Sequence, residues 1–77
     1  MNQLSELSPG SVAQLEQLGG ERSFRRRLME LGLLPGTKIK LVRRNRIGDQ
    51  LELEVRGCHL SLRCSDAKHL IVRKTLG

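Results

Sequence analysis

Four side chains in the C-terminal third of the chain, Cys58, His59, Cys64 and His69, are of types that could ligate a metal or act as nucleophiles. Their spacing argues against a shared site. Cys58 and Cys64 fall on the same face of a predicted strand as Leu60 and Leu62. Six residues of extended strand span about 20 Å. One zinc ion, with Zn–S bonds of ~2.3 Å, cannot reach both thiols, and a disulfide needs Cα atoms within ~7 Å. The expected role of both cysteines is that of small buried apolar residues. His59 points to the other face, where a two-residue turn at Arg56-Gly57 sets it opposite Glu54. A His–carboxylate pair can form half of a surface site for a divalent metal, completed by another molecule. A solvated cross-strand pair is the competing reading. For catalysis the chain offers no Ser-His-Asp order, no P-loop glycine string and no HExxH. Its carboxylates scatter over outward strand positions, so no enzyme is expected.

The elements that would carry these residues are short. Phe24, Leu28 and Leu31 recur at i, i+4 and i+7, which puts them on one face of a helix. Gly32 follows, where a left-handed cap residue is wanted. Pro35-Gly36 is the pair of a type II turn. Either Gly20 or Ser23 could cap the start of the helix. Alternating apolar residues predict strands over 11–18, 37–44, 50–56, 58–64 and 70–72, with one helical turn over 65–69. A hairpin at Arg56-Gly57 pairs Val55 with Cys58, Leu53 with Leu60 and Leu51 with Leu62, so that every core position meets a core position. In that turn Arg56 must take φ > 0. Five short strands and one helix in one 77-residue domain, residues 1–77, predict a small bent sheet closing into a barrel, which would remove unpaired edges. The helix lies between the first and second of these strands.

Leu, Val and Ile must build the core, since there is one Phe and no Tyr or Trp. The net charge of +6 suits an acidic protein, an anionic membrane surface or nucleic acid. Residues 1–6 lack the basic and apolar regions of a signal peptide. No apolar run approaches the ~18 residues that span a bilayer. A cytoplasmic protein with free thiols is expected.

The string Arg27-Leu28-x-Glu30-Leu31-Gly32-Leu33-x-Pro35-Gly36-Thr37 is distinctive. With Leu4-x-x-Leu7-x-x-Gly10 before it, and Gly48-Asp49, Leu62-Arg63-x-x-x-Ala67 and Ile71-Val72 after it, the chain resembles the ferrous iron transport protein A (FeoA) family over roughly residues 4–72. Gln50 departs from the proline that family often has after Gly-Asp. The resemblance implies an SH3-like barrel and a non-enzymatic cytosolic accessory protein of ferrous iron uptake. It implies a partner, the ferrous iron permease FeoB with its cytosolic GTPase domain, and no required cofactor. Any zinc or iron would bind weakly at the His59–Glu54 surface pair, and self-association is left open. A related domain ends the DtxR-type iron-dependent repressors. The absence of DNA-binding helices ahead of the domain here disfavours an iron-responsive regulatory module of that kind.

For the partner-binding face the sequence offers Arg22, Arg25, Arg26 and Met29, with the Leu33-Leu34 corner beside them. Met29 points well away from Phe24 and Leu28 and is ringed by the arginines, and Met and Arg are enriched at interfaces. Basic residues near a helix N-terminus oppose its macrodipole by about 0.3–1 kcal/mol each. Helix stability therefore does not account for them. The alternative function is a small basic nucleic-acid-binding barrel. The charge fits, but single-strand binders use aromatic platforms, and Phe24 belongs to the core face.

Overall fold

A computed structural model describes residues 2–75; Met1, Leu76 and Gly77, the ends of the expected domain, lie outside the described residues. The chain runs β1 (Asn2–Gln3), a 3-10 turn (Leu4–Glu6), β2 (Val12–Leu18), α1 (Arg22–Glu30), β3 (Lys38–Asn45), β4 (Gln50–Val55), β5 (Cys58–Arg63), α2 (Cys64–Ala67) and β6 (Leu70–Lys74). The five expected strands are β2 to β6, and α1 lies between the first two of them. Two-residue β1 is an addition, and α2 is the expected helical turn begun one residue early.

Neighbouring strands pair antiparallel in the order β1-β6-β2-β3-β4-β5. Alternation sends Ala13 and Leu15, Ile39 and Leu41, Leu51, Leu53 and Val55, and Leu70 and Val72 into one core. Leu4 and Leu7 close it from the N-terminal side. The β4–β5 register is the expected one, with Val55 opposite Cys58, Leu53 opposite Leu60 and Leu51 opposite Leu62. Arg56 and Gly57 both take left-handed φ, 53° and 80°. That is the type I′ geometry whose twist matches the flanking strands.

The expectation of full closure is corrected. No ladder joins β5 to β1 among the described residues, so the barrel is bent rather than sealed. Helix α2 instead packs across the seam against β4, β5 and the 3-10 turn. It interrupts the chain at Cys64, whose amide donates to the Asp49 carbonyl.

The end of α1 corrects the expected helical face. Leu28 is buried, but Leu31 is 56% exposed. The helix stops at Glu30, and Leu31 is the C-cap. Gly32, at φ +98°, then reverses the chain. Its amide donates to the Met29 carbonyl and the Leu33 amide donates to the Leu28 carbonyl. This is the Schellman pattern, which brings the residue after the glycine onto the helix's own apolar face. Leu33 thereby takes the core position expected of Leu31. At the other end neither Gly20 nor Ser23 is the N-cap; Glu21 is, without a side-chain capping bond.

Candidate partner-binding face

Helix α1 is fastened at both ends. Leu28 and Leu33 sit in the core cluster and Phe24 packs against it. Phe24 also meets His69 edge to face, with ring centroids 6.0 Å apart. The segment after the helix is tied to β2: the Gly36 amide donates to the Leu15 carbonyl at 2.7 Å and the Leu15 amide to the Thr37 carbonyl at 2.8 Å. The type II turn is closed by the Thr37 amide donating to the Leu34 carbonyl, and the Thr37 hydroxyl reaches back to the Gly32 carbonyl. Pro35 is thus brought to the same side of the barrel as the end of β2.

On the outer side of α1 the fold assembles a hollow of about 390 Å³ lined by Leu18, Arg22, Arg25, Arg26, Met29 and Pro35. A second, of about 480 Å³, is lined by Arg22, Ser23, Arg26, Arg27 and Glu30. Arg22 and Arg26 line both and so form the divide between them. Four of the six residues named from sequence meet in the first hollow. Leu34, 42% exposed, follows Leu33 into the turn that contains Pro35. Leu33 is a correction: at 0% exposure it belongs to the core and presents nothing to a partner. Leu18 and Pro35 were missed. Each had a local explanation, as strand end and turn residue, and only tertiary packing sets them beside Met29.

The electrostatics of this face are one-sided. The side chains of Arg22, Arg25, Arg26 and Arg27 make no hydrogen bond or ion pair among the described residues. No acidic residue occupies the first turn of α1. Like charges at i and i+4, as in Arg22 and Arg26, disfavour a helix by about 0.2–0.5 kcal/mol. The arrangement costs helix stability and leaves apolar and cationic surface accessible together. Its chemistry suits contact with an acidic, partly apolar surface.

The second set of candidates lies on the β3–β4–β5 surface. His59 stands opposite Glu54, with Nε2 4.0 Å from Oε1. Next to them the Arg43 side chain donates to Glu52. That hydrogen bond holds the Glu52 carboxyl below the usual carboxylate range and raises the guanidinium of Arg43 in turn. Among the described residues no three His, Cys, Asp or Glu side chains are grouped so as to hold a metal ion. The expected burial of the cysteines is only half met. Cys64 is partly buried, and burial, with a contribution from Asp49, pushes its thiol above the ordinary value. That is the opposite of a reactive thiolate. Cys58 is exposed; it begins the edge strand β5 immediately after the turn. His69 lines a third hollow, of about 310 Å³, with Glu21, Phe24 and Asp66 on the other flank of α1.

The fold is that of a small, mostly-strand SH3-like barrel carrying one short helix. The chain belongs to the FeoA family, whose domain model matches residues 2–74, and the family is linked to ferrous iron transport. The solution structure of FeoA from Chlorobium tepidum is similar at 37% identity and TM-score 0.92, covering 99% of this chain and 72% of that one. A FeoA-like protein from Clostridium acetobutylicum is similar at 32% identity and TM-score 0.83, covering 100% of this chain and 93% of that one. The zinc-complexed FeoA of Stenotrophomonas maltophilia is similar at 30% identity and TM-score 0.76, covering 94% of this chain and 89% of that one. That protein is described as a prokaryotic SH3 domain protein and proposed as a ferrous iron transport activating factor. No curated relative matches the chain. No helix among the described residues is long and apolar enough to cross a membrane.

Proposed function

We propose that this chain is a non-enzymatic, cytoplasmic accessory protein of ferrous iron uptake that binds the FeoB transporter through the outer face of α1. The observation that carries the reading is the 390 Å³ hollow, where Leu18, Met29 and Pro35 are rimmed by Arg22, Arg25 and Arg26. Apolar lining at the centre supplies affinity, and the unpaired arginines steer encounter with an acidic partner. Leu34 extends the apolar area.

Surface plasmon resonance against the transporter's soluble domain, and against full-length transporter in detergent, tests this. Met29→Ala should raise the dissociation rate by about tenfold, as for a residue at the centre of an interface. Arg25→Glu with Arg26→Glu should slow association and flatten its salt dependence. Absence of wild-type binding to either form defeats the function. Binding that the variants leave unchanged defeats only the face. Tight, salt-sensitive binding to generic DNA or RNA would favour the basic nucleic-acid binder instead.

Metal enters as a secondary proposal. A zinc complex is known for the Stenotrophomonas maltophilia relative. In this chain His59 and Glu54 supply two ligands, and a four-coordinate zinc shell must be completed by a second molecule or by water.

A further inference from the structure

The turn between β3 and β4, residues 46–49, lies at the end of β3 remote from the segment that joins it to α1. Ile47 stands on it 88% exposed, more than any other large hydrophobic residue among those described. Local contacts brace the turn. Asn45 pairs with Gln50 to close the hairpin. The Ile47 amide donates to Asn45 Oδ1 at 3.2 Å. Gly48 and Asp49 both hold left-handed φ, 85° and 51°. The turn therefore presents an aliphatic side chain to water.

Around it the charge is mostly positive. Arg46 precedes Ile47 directly. Arg63 lies in the same row of the sheet, since Asn45 pairs with Gln50 and Gln50 with Arg63. Neither arginine has an ion-pair partner among the described residues. Arg44 is exposed one step back on β3, where its guanidinium donates to the Leu7 carbonyl. Asp49 is the opposing charge and is exposed; its backbone carbonyl accepts from the Cys64 amide, and its side chain hydrogen-bonds with Cys64 at the start of α2. Arg43 is neutralised by Glu52.

We propose that this turn is an anchor for an anionic lipid bilayer: Ile47 enters the boundary between headgroups and acyl chains, and Arg46 and Arg63 meet lipid phosphates. A projecting apolar apex needs no complementary pocket in a bilayer, whereas a protein partner would have to supply one. Aliphatic insertion combined with basic neighbours is the pairing that holds proteins at an anionic interface. The net charge of +6 adds long-range attraction. The site is separate from the α1 face and does not depend on the transporter reading.

The test uses the whole chain and vesicles of phosphatidylcholine with or without phosphatidylglycerol. Because the protein has no Trp or Tyr, Ile47→Trp supplies a single fluorophore. Its emission should shift to the blue on the anionic vesicles and stay unchanged on neutral ones. In sedimentation, Arg46→Glu should weaken wild-type binding by about fivefold or more, and Ile47→Asp by about tenfold or more. Thermal melts of these surface variants should match wild type. Arg25→Glu with Arg26→Glu on α1 should retain most vesicle binding. No wild-type binding to anionic vesicles, or an unshifted Trp emission, overturns the proposal. So does vesicle binding that the α1 variant abolishes and Ile47→Asp leaves intact. If wild type ignores vesicles while Ile47→Asp weakens binding to the transporter's soluble domain, the turn is a protein contact and the proposal is again overturned.

Discussion

Replacing Leu28 by Ala tests how α1 is held to the barrel. The residue is 1% exposed and lies in the core cluster with Leu33. Truncation removes three carbons from a close-packed site, and buried Leu→Ala changes cost about 2–5 kcal/mol. A domain of this length holds roughly 4–12 kcal/mol in total, at about 0.05–0.15 per residue. The substitution thus removes from a sixth of the stability to all of it. At about 4–8 °C per kcal/mol for small domains, the melting temperature should fall by roughly 10–40 °C. Leu31→Ala removes the same atoms one turn later, from a half-exposed cap position. It should stay within about 0.5 kcal/mol, or a few degrees. Leu33→Ala should resemble Leu28→Ala, and the double variant should be non-additive because the two share one cavity. Thermal melts by circular dichroism and calorimetry compare all four variants with wild type. A Leu28→Ala melt within a few degrees of wild type, or a Leu31→Ala loss as large as that of Leu28→Ala, would refute the Schellman exchange of Leu33 for Leu31.

The Arg43–Glu52 pair predicts a pH dependence of definite sign. The folded carboxyl titrates below its unfolded value, so the contribution is present above the usual carboxylate range, about pH 4.3, and lost as pH falls through the lower folded value. Wild type and Glu52→Gln should differ by a small, salt-sensitive margin near neutral pH and converge in acid. Melting curves that diverge as the pH falls would contradict the assignment. For metal, calorimetry with Zn²⁺ should give weak binding that rises with protein concentration and disappears in His59→Ala. A tight one-to-one site in a protein that remains monomeric would exclude the two-ligand surface pair.

Much of this protein is written locally. Alternation in Leu51-Glu52-Leu53-Glu54-Val55, mirrored in Leu60 and Leu62, was enough to set the β4–β5 register and place His59 opposite Glu54, because a one-residue slip would put leucines against charges. Gly32 and Pro35-Gly36 announced the helix stop and the turn, because each answers a backbone demand that few other residues meet. Arg22, Arg25, Arg26 and Met29 could be grouped from helical spacing alone.

Other features depended on contacts between distant segments. A heptad pattern continues through Leu31, but it cannot say that the helix ends one residue earlier, nor that the reversal at Gly32 buries Leu33 instead. Strand alternation assigns Cys58 an inward direction, but whether anything waits there depends on which strand forms the edge. The hollow beside α1 needs Leu18 from β2 and Pro35 from the turn before β3. These are brought together by the bonds from Gly36 to Leu15 and from Leu15 to Thr37, across more than 20 residues of chain. Periodicity and turn chemistry are properties of a few neighbouring residues, and sequence states them directly. Burial and the making of a surface are properties of what packs against a residue from elsewhere, and only the folded chain decides them.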